Sequence, residues 1–173
     1  MNEQVLGGGW LSCHVLEHIL WKAHWTLRKY INHEARIFDF PYEVIEIDGN
    51  LMLNEGINEL WTQLCGGSGF AWNSTNAQLV VGSSTTPAAA TQTDILGSTS
   101  QAVAMNGGYP TYGSAQKVTF QSDFAGDDGV FSWQEFSVWN GAYQNKNLNR
   151  LVSDQGTKVQ GQTWTLTLDI TLS

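Results

Sequence analysis

Thr163-Trp164-Thr165-Leu166-Thr167-Leu168-Asp169-Ile170-Thr171-Leu172 decides the fold. Trp164, Leu166, Leu168, Ile170 and Leu172 alternate with Thr165, Thr167, Asp169 and Thr171, and successive side chains of a strand point to opposite faces. The stretch therefore reads as a half-buried strand of about ten residues with one wet face. Just upstream, Val118, Phe120, Ser122 and Phe124 alternate in the same way with Lys117, Thr119, Gln121 and Asp123, and Gly126-Asp127-Asp128-Gly129 supplies the following turn. From Phe131 to Trp139 the apolar set shifts parity, from Phe131 and Trp133 to Phe136 and Val138, which predicts a β-bulge near Gln134-Glu135. Shorter strands are expected at Ala77 to Val81, Leu148 to Val152 and Gly156 to Val159. Ser83 to Gln101, rich in Thr, Ser and Ala, reads as an ordered surface connection. Several short strands joined by turns predict a mainly β chain, an antiparallel β-sandwich of jelly-roll type.

Composition changes near Cys65-Gly66-Gly67-Ser68-Gly69, because all four histidines lie before it. A boundary placed there divides the chain into an N-terminal helical and hairpin segment, 1–67, and a β-sandwich domain, 68–173. In the first part, Leu11, Val15, Ile19 or Leu20, Leu27 and Ile31 recur at helical spacing and predict a helix from about Leu11 to Tyr30. Trp10, Trp21 and Trp25 make it unusually aromatic, so it should bury against the sandwich or a neighbouring chain. Ile37 to Asp48 reads as a hairpin or strand pair closing at Asp48-Gly49-Asn50. A second helix follows, with Asn54 as N-cap, Glu55 in its first turn, Ile57, Leu60, Trp61 and Leu64 on one apolar face, and Gly66 as its stop.

The chain has 173 residues and 42% hydrophobic content, enough for a packed core, yet only 14% charged residues against roughly 25% in an ordinary soluble domain. A surface with few ions can be covered by neighbours at little desolvation cost. The net charge of −8, with eight Lys and Arg scattered singly, provides no basic patch for phosphates and argues against direct nucleic-acid binding. The start MNEQVLGGG has no positive n-region, and the apolar stretch after it is interrupted by His14, Glu17, His18 and Lys22. Neither a signal peptide nor a transmembrane helix is expected, and synthesis in the cytoplasm follows. Cys13 and Cys65 read as buried thiols.

The most enzyme-like string is His14-Val15-Leu16-Glu17-His18, an H-x-x-E-H pattern that on a helix would set two imidazoles on one face beside a glutamate. A working zinc site needs three ligands and an open position, and no following helix offers a third carboxylate. His14 and His18 are thus the metal candidates, with no metal, cofactor or catalytic residue expected. Asp123, Asp127 and Asp128 lack the alternating oxygens of a calcium loop and read as turn formers. No nucleophile elbow, phosphate loop or dinucleotide fingerprint is present, so the chain is expected not to be an enzyme.

Gly49-Asn50-Leu51-Met52-Leu53-Asn54-Glu55-Gly56-Ile57-Asn58, Ala77-Gln78-Leu79-Val80-Val81-Gly82-Ser83-Ser84 and Thr91-Gln92-Thr93-Asp94-Ile95-Leu96-Gly97 together resemble structural proteins of tailed bacteriophages. Val118-Thr119-Phe120, Phe131-Ser132-Trp133-Gln134-Glu135-Phe136, Leu148-Asn149-Arg150 and Thr163-Trp164-Thr165-Leu166 extend the resemblance, which covers roughly Gly49 to Ser173. It implies a virion protein of the tail, baseplate or fibre that contacts other phage virion proteins and repeats in symmetric copies. A trimer is expected on fold analogy. A capsid decoration protein is the alternative within that setting, and a host-receptor or glycan-binding module the alternative from another class. The N-terminal segment is expected to anchor the sandwich to the particle, with Trp10, Trp21, Trp25 and Trp61 as its contacts.

Overall fold

The computed structural model describes residues 20–141 and 146–173. Its ten strands form two five-stranded antiparallel sheets that face each other across one core. The first sheet has the order β2 (Glu43–Asp48), β1 (Trp21–Tyr30), β10 (Thr163–Leu172), β7 (Lys117–Phe124), β6 (Thr111–Ser114). The second runs β3 (Leu51–Met52), β9 (Asn149–Val152), β8 (Glu135–Trp139), β4 (Gln78–Gly82), β5 (Ser100–Ala104). Two short helices, α1 (His33–Ile37) and α2 (Asn54–Leu64), complete the elements of the described residues.

The quoted stretch is β10, in the middle of the first sheet. Trp164, Leu166, Leu168 and Ile170 are buried in the core. On the opposite face, Thr165 donates to Asp123 at 2.6 Å and Asp169 accepts from Thr119. β7 pairs with it in the register Leu166↔Ser122 and Leu168↔Phe120, so the two alternating stretches lie side by side.

Residues 21–30 correct the expected N-terminal helix. They form β1, in which Ala23, Trp25 and Leu27 point into the core opposite Ile170, Leu168 and Leu166. Lys22, His24, Thr26 and Arg28 take the outer face. A helix would have scattered this period-two set around its axis, whereas the strand buries all three apolar side chains against β10. Leu11 to Ile19, the rest of that expected helix, lies outside the described residues.

Because β1 and β2 belong to the first sheet and β3 to the second, residues before 68 are built into both sheets, and the expected division after residue 67 does not separate two units. The expected hairpin at Asp48-Gly49-Asn50 is instead a crossing between sheets. β2 pairs with β1, and Gly49, at φ +89°, donates to the Ala23 carbonyl before the chain enters β3. Of the short strands expected, Gly156 to Val159 reduces to a single bridge between Thr157 and Ser132.

The parity change after Phe131 has a different cause from the expected bulge. Trp133 exchanges backbone hydrogen bonds with the Gly156 and Gln155 segment, then the Gln134 amide donates to Gly82, and only at Glu135 does β8 begin. The chain changes pairing partner at that point, which resets which side chains face inward. Trp133 becomes the centre of the core, with Phe124 and Trp164 ring centroids each 4.8 Å away in edge-on contact and its indole N–H donating to the Gly129 carbonyl at 2.8 Å.

Beneath the second sheet lies a buried ion pair. Arg150 Nε and Nη2 donate to Glu135 Oε2 at 2.8 and 2.6 Å, and both side chains are fully buried. Arg150 Nη1 reaches the Thr86 carbonyl and Gln92, while Glu135 accepts from the amides of Ser84, Leu96 and Gly97. This network supplies polar partners to the long connection between β4 and β5, so a Thr/Ser/Ala-rich stretch is ordered without an apolar core of its own. Glycine is required where it passes closest: a Cβ on Gly82 would stand 2.4 Å from Glu135 Oε1.

Candidate functional site

Trp25 is 0% exposed and packs 5.9 Å from Phe136, so it is a core residue and not the surface contact expected of it. Trp21 lies half-buried at the start of β1, its indole N–H donating to Asn50 Oδ1 at 2.8 Å. Trp61 is 60% exposed on α2. Trp10, His14, His18 and Cys13 lie outside the described residues. Cys65 is exposed at the end of α2, against the expectation of a buried thiol. Among the described residues no three His, Cys, Asp or Glu side chains gather as a metal would require, and no helix is long and apolar enough to cross a membrane.

Two apolar surfaces remain, near opposite ends of the sheets. The first centres on α2. Its anchor is Gly56, where a Cβ would come within 2.5 Å of the Leu148 carbonyl oxygen, so the first turn lies directly on that backbone. Glu55 reinforces the contact by accepting from the Asn147 amide at 2.8 Å. The N-cap position is Leu53, without a side-chain cap, and Asn54 is the first helical residue, so the helix starts one residue earlier than expected. With its small first turn inside, the helix turns the rest of its apolar stripe outward, and Leu64 is 74% exposed. Between α2 and the sheets opens a cleft of about 920 Å³, walled by Trp21, Leu60, Trp72, Tyr112, Ile170 and Leu172. The shielded indole N–H of Trp72 has no acceptor among the described residues.

The second surface is the connection from β1 to β2, which sequence reading took as part of a strand pair. It holds α1, capped by Asn32, whose side chain accepts from the Ala35 amide at 2.8 Å, and none of whose residues is buried. The order of this segment comes from a polar clamp. Asp39, at φ +53°, accepts from the Tyr30 hydroxyl at 2.6 Å and from Arg28 Nη1 at 2.9 Å. Arg36 lies over the Tyr30 ring and pairs with Asp123 at 3.0 Å. The Tyr30 and Arg28 hydrogen bonds hold the Asp39 carboxyl below its ordinary range, whereas burial foremost raises the Tyr30 hydroxyl.

The clamp engages its polar groups with one another and leaves the apolar groups facing out. Ile37, Phe38, Phe40 and Tyr42 are each more than half exposed, Phe40 at 74%. This inverts the usual partition, and a small helix that buries nothing gains no stability from its apolar side chains while they face water. The segment is therefore a pre-organised aromatic spur. Asn32 as a helix N-cap and the string Phe38-Asp39-Phe40-Pro41 were the signals that could have revealed it.

The outer face of the first sheet forms a smaller polar depression bounded by Thr26, Arg28, Tyr30, Gln121, Thr165 and Thr167. Much of its hydrogen-bonding capacity is already engaged within the protein: Gln121 donates to Thr167, Thr165 to Asp123, and Arg28 and Tyr30 to Asp39. Comparison with protein-family models, curated proteins and solved structures found no match.

Proposed function

We propose that the chain is a structural component of a tailed-bacteriophage particle, a jelly-roll-like β-sandwich built into the tail, baseplate or fibre through protein–protein contacts. The observation that carries the reading is the aromatic spur, an ordered surface whose polar groups are spent on holding it and whose apolar groups face out. Contiguous exposed apolar area beyond a few hundred Å² marks an interaction surface in soluble proteins, and rigid aromatic anchors are the side chains that dominate interfaces. The apolar cleft beside α2 is a second such surface. Low charge supports the same role, since few ions need to be stripped of water when neighbours close over the protein.

In this reading Trp21 and Trp61 keep the contact role expected of them, and Phe38 and Phe40 join them. Mass spectrometry of purified, nuclease-treated particles tests it. The chain should be present at a fixed ratio to the major capsid or tail protein and resist a salt wash. Its presence in infected cells together with its absence from particles would overturn the proposal.

A further inference from the structure

We infer that Asn106 is a self-modifying position, converting in the folded protein to aspartate and isoaspartate through attack of the Gly107 backbone nitrogen on its side-chain carboxamide. The Gly107 nitrogen gives its proton to solvent and its electron pair forms the bond to Asn106 Cγ. The Cγ–Nδ2 bond breaks, and Nδ2 takes up a proton and leaves as ammonia. Water then opens the cyclic imide at Cγ, which restores the main chain with aspartate, or at the backbone carbonyl, which leaves the chain running through the side chain as isoaspartate. The chemistry is independent of the particle role proposed above.

Two Asn-Gly steps occur in the chain, Asn106-Gly107 and Asn140-Gly141. Glycine hinders the approach of its own nitrogen least, having no Cβ and a permissive backbone. The structure separates the two steps. Asn106 to Tyr109 form a tight turn between β5 and β6, closed by the Tyr109 amide donating to the Asn106 carbonyl at 3.0 Å, with Gly108 at φ +89°. Gly107 and Gly108 are exposed at its tip. A Cβ on Gly107 would meet nothing within 4 Å, and its amide has no acceptor among the described residues. The nitrogen is thus free to pivot and open to water.

The carboxamide it would attack is held by its oxygen. Asn106 Oδ1 accepts from the Asp123 backbone amide at 3.1 Å, and Nδ2 donates to Gln121 Oε1 at 3.2 Å. A donor on Oδ1 draws electron density from Cγ and stabilises the negative charge that develops on that oxygen as the ring closes, as an N–H does in an oxyanion hole. Asn140 is placed oppositely. It is 1% exposed, its Nδ2 donates to the Phe70 carbonyl at 2.7 Å, its Oδ1 accepts from the Lys146 amide at 2.8 Å, and Gly141 is itself buried. Ring closure there would break both bonds away from solvent.

Conversion of Asn106 has a local consequence. A carboxylate cannot donate to Gln121, so oxygen would face oxygen at that contact. Isoaspartate also lengthens the main chain at the turn leading into β6, an edge strand that pairs with β7 alone. Order should therefore be lost at β6 before the centre of the sheet.

Peptide mapping by mass spectrometry tests the inference, on the purified full-length chain incubated in mildly alkaline buffer, folded and in urea, with isoaspartate read by methyltransferase labelling. In the folded protein Asn106 should convert at least about tenfold faster than Asn140, a ratio that one hydrogen bond of ordinary strength can impose. In urea the two should convert at similar rates. Gly107→Ala, which the open space at that position accommodates, should slow Asn106 and leave the circular dichroism spectrum unchanged. Asn106→Asp should speed hydrogen exchange over β6 and leave β10 unchanged. An Asn106 that keeps its amide in the folded protein while the unfolded chain converts, an Asn140 that converts equally fast when folded, or a Gly107→Ala variant with the wild-type rate would overturn the assignment. Unchanged exchange in Asn106→Asp would overturn its effect on β6.

Discussion

Replacing Arg150 with Met should remove a large part of the stability of the protein. Arg150 and Glu135 are fully buried, and the guanidinium donates four hydrogen bonds, two of them to one carboxylate oxygen. Methionine has a similar unbranched stem, so little packing is lost. What changes is that the Glu135 carboxylate keeps its three backbone donors, at Ser84, Leu96 and Gly97, but loses its counter-charge inside the protein. Removing one partner of a buried pair costs about 3–5 kcal/mol, more than the net worth of the pair itself, because the remaining charge is stranded. For a domain of this size each kcal/mol lowers Tm by about 2–4 °C, giving a drop of roughly 6–20 °C. Glu135→Gln should cost a similar amount, and the double variant should lose markedly less than the two single losses combined, since neither partner is then left as a stranded charge at this site. Urea unfolding followed by tryptophan fluorescence measures all four proteins. A loss below about 1 kcal/mol in Arg150→Met, or strict additivity in the double variant, would refute the view that this pair organises the connection between β4 and β5.

Trp25→Ala should destabilise by about 3–5 kcal/mol, as expected for a large side chain removed from a core, whereas Trp61→Ala should stay within about 0.5 kcal/mol; equal losses in thermal unfolding would contradict their assigned places. Gly129→Ala should cost on the order of 1–3 kcal/mol, because φ is +66° and the new Cβ would meet the Trp133 indole nitrogen at 3.0 Å; an unchanged Tm would count against it. Lys158 is buried with its ammonium on the Gly126 carbonyl, and burial lowers its pKa below 10.5 despite the raising influence of Asp128 and Asp127. The unfolded chain then binds more protons between the depressed value and 10.5, so this group's contribution to stability rises with pH through that window and is lost as pH falls through the folded pKa. Lys158→Met should flatten that rise in a series of urea titrations, and an identical pH profile would refute the assignment.

The two central strands of the first sheet were legible because Trp164 to Leu172 and Val118 to Phe124 alternate without interruption, and each has a wet face that keeps the period visible. α2 was legible too, from Glu55, the apolar spacing and Gly66. β1 was not, because Leu20, Leu27 and Ile31 fit a helical spacing that continues from Leu11, and this obscured the shorter alternation of Trp21, Ala23, Trp25 and Leu27. The edge strands β5 and β6 also escaped notice. Ser-Gln-Ala-Val-Ala and Thr-Tyr-Gly-Ser carry little apolar contrast, and they are held by the ladder of one neighbour each. Of the contact tryptophans, position in the sheet decided the outcome: Trp25 and Trp21 share the inward face, but Trp21 stands at its open end. The spur was hidden for a different reason. It is held to the sheet by the hydrogen bonds of Asp39 to Arg28 and to the buried Tyr30, while Ile37, Phe38 and Phe40 are exposed, so a rule that places apolar residues inside reads it backwards.

The most direct test of an assembly role is the density of this chain inside an intact particle, imaged at a resolution that traces side chains. Neighbouring protein should cover Phe38 and Phe40 at one end and Leu60 and Leu172 at the other, with Trp25 and Trp133 enclosed within the chain. Density that places the chain in the particle with both ends open to solvent, or particles that lack it altogether, would contradict the account.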